Sequence, residues 1–150
     1  MGTLLGTCMN SGYYRKASPH KIFGFDITVD IANSNSISKM FQKIGNVDAI
    51  ICIAGEAKWA NFNELEEEDY HLGLNSKLMG QVNLVRIGQN YLNTGGSITL
   101  STGILADDPV VKTTSAAMVN GGIHSFVMAV ALEIENNIRV NVVSSGMVED

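Results

Sequence analysis

Three short stretches of the chain are almost continuously apolar: Val47 to Ile53 (VDAIICI), Ser97 to Ser101 (SITLS) and Ile138 to Val143 (IRVNVV). They are rich in β-branched residues and lack a clean polar alternation, the pattern of strands buried on both faces. Between them the period changes. Ile37, Met40, Phe41 and Ile44 follow i, i+3, i+4, i+7 spacing, with Ser34 and Asn35 as candidate N-caps and Gly45 placed where a C-cap belongs. A second helical stretch starts near Asn63, where Asn63 and Glu66 have capping-box-like spacing, and runs to about Leu92 with a break at Gly73. A third spans about Thr114 to Glu133. Helix and strand alternating in this way predict right-handed crossovers and a doubly wound α/β domain, with helices on both faces of a parallel sheet.

The first 26 residues are less regular. Thr3 to Thr7 and Lys21 to Phe25 have strand composition, whereas the turn-rich CMNSGYYRKASP between them has no helical period. No repeat, linker or low-complexity segment interrupts the chain, so its 150 residues predict one domain.

Composition adds exclusions. The formal net charge of −5 argues against a nucleic-acid or anionic-lipid surface. No apolar run is read as reaching the ~20 residues of a membrane span, and the start of the chain lacks a signal-peptide layout, so a cytoplasmic protein is expected. Cys8 and Cys52 are far apart, with Cys52 inside an apolar run, so a disulfide is not expected; His20, His71 and His124 have no ligand spacing, and no metal is expected.

In an open parallel sheet, ligands bind beyond the carboxyl ends of the strands. Each of the three strong strands ends in small residues and a glycine: Ala54-Gly55, Ser101-Thr102-Gly103 and Ser144-Ser145-Gly146. Small residues there let a flat ligand approach the backbone, although loops favour Gly and Ser in any case.

These pieces together resemble the short-chain dehydrogenase/reductase family. DAIICIAG (Asp48 to Gly55) is similar to the family strand ending in Asn-Ala-Gly, and GSITLSTG (Gly96 to Gly103) to the strand carrying its catalytic serine. SAAMVNGGIHSFVMAVALE (Ser115 to Glu133) resembles the helix that opens with Tyr-x-x-x-Lys, and RVNVVSSG (Arg139 to Gly146) resembles Arg-Val-Asn-x-Val-x-Pro-Gly. With Asp30-Ile31 and the helix around Ser76 to Val85, the likeness covers about residues 27 to 150. It implies a Rossmann-like doubly wound parallel sheet, three-layer α/β/α and incomplete at both ends, in one dinucleotide-binding domain over residues 1–150.

The resemblance also implies a function: an NAD(P)-dependent oxidoreductase acting on a small carbonyl or alcohol substrate, associated as a homodimer or homotetramer through its long helices. Asp30, Ile31, Ala54, Gly55, Ser145 and Gly146 would contact the cofactor, and Ser101 or Thr102 would take the place of the catalytic serine. Each has a plainer reading beside it: Asp30 as a helix-start residue, and the hydroxyls as structural donors. Lys77 falls where the family has a catalytic asparagine; it either snorkels along the surface or points its ammonium into the pocket.

The departures are as informative. Gly2, Gly6 and Gly12 do not give the Gly-x-x-x-Gly-x-Gly spacing of the family's pyrophosphate turn. Ala116 and Asn120 stand where the family's tyrosine and lysine belong. A non-catalytic dinucleotide-binding or scaffold protein, or a truncated remnant, is therefore the alternative to an active reductase.

Overall fold

The computed structural model describes the backbone of Leu4–Thr7, Tyr14–Ser18 and Lys21–Phe25, and all of residues 28–146. The three short segments are strands β1, β2 and β3. They are followed by α1 (Ser34–Ile44), β4 (Val47–Cys52), α2 (Glu67–Gly73), α3 (Met79–Gly88), β5 (Leu92–Gly103), α4 (Thr114–Glu133) and β6 (Arg139–Ser145). All six strands form one sheet in the order β3-β2-β1-β4-β5-β6.

The expected parallel core is present. β4 pairs with β5, and β5 with β6, in parallel register, Ile50 opposite Ile98 and Leu100 opposite Val142. Beyond β1 the sheet departs from an all-parallel arrangement, because β1–β2 and β2–β3 pair antiparallel. That is the geometry short connections permit, since a parallel neighbour needs a crossover of a dozen or more residues. The second glycine of the supposed phosphate turn, Gly6, lies in β1; Gly2, Gly12, Cys8 and His20 fall outside the described residues.

Strand alternation decides which face is covered. Ile50, Cys52, Ile98, Leu100 and Val140 are buried, while the residues between them, among them Ile51, Thr99 and Ser101, are not. Onto the buried face pack Ile37, Met40 and Phe41 of α1, Leu84 and Val85 of α3, and Ile123 and Val127 of α4, in one continuous core. Phe41 also stacks on Tyr91, ring centroids 4.9 Å apart. A Cβ on Gly88 would stand 2.7 Å from Ile50 Cδ1, which shows how closely α3 lies on the sheet. The described residues thus contribute one helical layer of the Rossmann-like sandwich.

Local sequence explains the helix ends, with some shifts from expectation. The cap of α1 is Asn33 rather than Ser34 or Asn35, its side chain accepting from the amides of Asn35 and Ser36; Gly45 ends the helix at φ 73°, as expected. The capping box is formed by Glu66 and Asp69, three residues later than Asn63 and Glu66, because Phe62–Glu64 first makes a separate 3-10 turn. The break near Gly73 is a single π turn over Leu74–Leu78, closed by the Met79 amide on the Leu74 carbonyl. Finally, α4 is long and apolar enough to cross a membrane by length and composition, with a mean hydropathy of 1.4, so the expectation that no segment reaches that size does not hold for it.

Phe41 is the largest fully buried side chain and joins α1, α3 and the Tyr91 ring. Phe41→Ala is expected to lower stability by about 3–5 kcal/mol, read from the midpoint and slope of urea unfolding.

Candidate active site

The carboxyl ends of β4, β5 and β6 open into a cleft of about 720 Å³, lined by Gly55, Lys77, Ser101, Thr102, Asn120 and Ser145 among others. That volume lies within the usual range for small-molecule sites. Five of the residues predicted from sequence therefore meet in one place: Lys77, Ser101, Thr102, Gly55 and Ser145. Ala54 takes part through its backbone, whereas Gly146 follows Ser145 without lining the cleft. Asp30 and Ile31 also lie outside it. The Asp30 carboxylate accepts from the Ala32 amide at 2.9 Å in a turn before α1, and Ile31 is buried against Gly80.

Backbone geometry brings Lys77 to the cleft. Gly55 follows β4 at φ 121°, a conformation that side chains rarely adopt, and a Cβ there would come 2.7 Å from the Lys77 Cα. The loop leaving β4 thus passes directly over the π turn that carries Lys77. Such turns often sit at functional sites. Lys77 is among the residues that line the cleft. Burial holds its ammonium below the usual lysine range, and the nearby Cys52, once ionised, works in the opposite sense.

Four polar groups at the site were not singled out by sequence reasoning for a role. Gln81 is fully buried on α3, and its Nε2 donates both to the Ala54 carbonyl at 3.2 Å and to the Ser101 carbonyl at 3.0 Å, tying together the exits of β4 and β5. Its place four residues after Lys77 and three before Leu84 put it on the buried stripe of the helix, which is the signal that could have found it. Asn120 is also buried and lines the cleft, and its Oδ1 has no hydrogen-bond partner. His124, one turn further along α4, lies 2.7 Å from Thr102 Oγ1 through its Nε2. Asp107 stands near the other side of that ring, Oδ2 to Nδ1 3.9 Å. No tyrosine lines the cleft among the described residues.

A mixed sheet with parallel β4–β5–β6, helices on the crossovers and a small-residue cleft at the strand ends is the architecture of a Rossmann-like α/β domain, whose ligands bind at the strand ends. The comparisons identify the class: a family model described as enoyl-(acyl carrier protein) reductase matches residues 13–150, and the chain belongs to the short-chain dehydrogenase/reductase family. A crystal structure of the protein lin1944 from Listeria innocua is 45% identical and superposes with a TM-score of 0.81, over 87% of this chain and 64% of that one. A small-chain dehydrogenase crystallised with NADPH is 32% identical with a TM-score of 0.76, over 81% of this chain and 55% of its own. The 3-oxoacyl-[acyl-carrier-protein] reductase FabG of Thermotoga maritima is 28% identical over 75% of this chain and 47% of its own length. The chain spans about half the length of the curated relatives it matches.

Two outcomes are expected from this geometry. Gly55→Ala should cost about 1–3 kcal/mol from backbone strain alone and displace Lys77, seen as a lowered urea midpoint together with changed amide shifts at Lys77 and its neighbours. The lowered Lys77 pKa has a stability consequence with a definite sign. Between that value and the unfolded lysine value near ~10.4 the unfolded chain holds more protons, so stability rises with pH in that window. Urea unfolding at successive alkaline pH values should show wild type gaining on Lys77→Met as pH rises; a constant difference would place the ammonium in water.

Proposed function

We propose that this chain is the dinucleotide- and substrate-binding part of an NAD(P)-dependent reductase acting on a small carbonyl or alcohol. The observation that carries the reading is the convergence of Gly55, Lys77, Ser101, Thr102, Asn120 and Ser145 on one cleft at the strand ends. Relatives support it, since one similar dehydrogenase was crystallised with NADPH.

The residues present fit the nicotinamide end of such a cofactor. The unpartnered Asn120 Oδ1 is a buried acceptor, and a carboxamide N–H or ribose hydroxyl would satisfy it. Gly55, Gly103 and Ala116 leave room for a flat ring, and the Lys77 ammonium supplies a positive charge for a hydroxyl or phosphate oxygen. When bound, NAD(P)H supplies the hydride, and the protein contributes position and electrostatics. Within the cleft, one of the two strand-end hydroxyls, Ser101 or Thr102, orients the carbonyl oxygen, and Lys77 stabilises the negative charge that grows there. Asp30 and Ile31, at the entrance to α1, are assigned to the adenine side on family resemblance.

The same reading includes self-association and a cytoplasmic location. Met118, Met128 and Leu132 of α4 are exposed, Leu132 at 88%, and form an apolar surface suited to a second copy of this chain.

Calorimetric titration with NADH and NADPH, followed by absorbance assays on aldehydes and ketones, tests the reading. Binding of at least one dinucleotide with slow turnover is expected, and Lys77→Met and Ser101→Ala should each lower kcat/KM about 10-fold or more, in line with the loss of one charge-stabilising donor. Binding without turnover would favour a non-catalytic dinucleotide-binding protein, and no binding would refute the function.

A further inference from the structure

We propose that His124, acting through the Thr102 hydroxyl, supplies the proton for carbonyl reduction in this cleft; the inference rests on the reductase reading above. Position 116 is alanine and position 120 asparagine, so neither can donate a proton from the start of α4. One turn beyond Asn120, on the same face of the helix, stands an imidazole whose Nε2 is 2.7 Å from Thr102 Oγ1. Thr102 is 4% exposed and lines the cleft. The other acceptor near its hydroxyl is the Val143 carbonyl at 3.5 Å, the outer limit of a hydrogen bond. When the ring is protonated, Nε2–H donates to Thr102 Oγ1, and the threonine proton is left without a strong acceptor except a substrate oxygen in the cleft.

The step balances as follows. The carbonyl carbon takes a hydride from NAD(P)H, which becomes NAD(P)⁺; the carbonyl oxygen takes the Thr102 hydroxyl proton; Thr102 Oγ1 takes the Nε2 proton of His124. The product is the alcohol, and the imidazole is left neutral, its Nε2 now accepting from Thr102. The ring bridges the cleft and the surface, because its Nδ1 faces the exposed Asp107 carboxylate at 3.9 Å, so a solvent proton restores the imidazolium. Thr102 is the residue that touches substrate, and His124 positions and recharges it.

Geometry favours this route over Lys77 as the proton source. A threonine hydroxyl is too weak an acid to act without a partner that replaces its proton as it leaves, and His124 holds that place.

Among the described residues, charged groups around the ring are few. Asp107, on the loop after the Ile104–Ala106 turn, faces it. β5 and β6 contribute Thr102 and the Val143 carbonyl there, and Arg139 lies opposite Ser97, five residues before Thr102 and so about 16 Å away along the sheet. Of α2, Gly73 packs against Val119 and Ser115 of α4, while Glu67, Glu68, Asp69 and His71 stand earlier on that helix, the Glu67 and His71 side chains exposed. Lys77 belongs to the π turn on the cleft wall.

The experiment combines pH–rate profiles with nitrogen NMR of histidine-labelled protein. In wild type, kcat/KM for a ketone with saturating NADPH should fall as pH rises through the neutral range, since the donor must be protonated. His124→Gln keeps an amide N–H for Thr102 but does not titrate; it should lose about 10²- to 10³-fold at pH 6 and lose the neutral-range fall, with NADPH affinity unchanged within twofold. Thr102→Ser should keep most activity, and Thr102→Val should match His124→Gln. Independently of turnover, the neutral His124 ring should carry its proton on Nδ1 and bind Thr102 through a bare Nε2, an arrangement that Thr102→Val abolishes. A pH profile shared by wild type and His124→Gln, or a neutral ring protonated on Nε2, overturns the relay while leaving the reductase reading intact. NADPH binding with no turnover at any pH overturns both.

Discussion

The arrangement depends first on the packing of one helical layer against one face of β4, β5 and β6. Ile50, Ile98 and Leu100 are fully buried there against Phe41, Leu84 and Ile123. Because side chains alternate across a strand, fixing that face fixes everything else on the strands: Thr102 turns toward α4, and Ser101 turns toward the opposite face. The cleft opens where β4 ends opposite Leu100 while β5 and β6 run on to Gly103 and Ser145. Gln81 then ties the ends of β4 and β5 by donating to both Ala54 and Ser101. Its cost is a buried polar atom, Oε1, without a hydrogen-bond partner.

Much of this was legible in the residues. The parallel trio came from continuous apolar runs, and α1 from a helical period ended by Gly45, because burial on a sheet imposes those patterns directly. The antiparallel β1–β3 meander was not legible, since strands this short carry no period that distinguishes their direction. The helix caps were displaced by a few residues because Asn, Ser and Glu compete for the same amides and tertiary contacts decide among them. The strand-end residues were legible as a group, as was the ambiguity of Lys77. Gln81 and His124 were harder, because a single polar residue on an apolar helix shows its role only when a specific strand end is placed beneath it.

That distinction bears on the chemistry. Family resemblance directs attention to positions 116 and 120, where Ala and Asn remove the expected proton donor and its charged neighbour. The fold nonetheless places a lysine, two strand-end hydroxyls and an unpartnered amide oxygen around one cleft, with an imidazole one bond further back. Function in such a domain follows the site rather than the fold, and the proposed binding of a flat polar ligand and the proposed proton path both rest on these groups. Asn120 occupies both accounts: it stands where the family has a charge, and its buried Oδ1 has no hydrogen-bond partner beside the cleft.

The most direct test of the central claim is where a dinucleotide touches the protein. Amide chemical-shift mapping on titration with NADPH should move the signals of Gly55, Lys77, Ser101 to Gly103, Asn120 and Ser145 together, with one saturating curve. Shifts confined to other surfaces, or none at millimolar NADPH, would contradict the assignment of this cleft as the cofactor site.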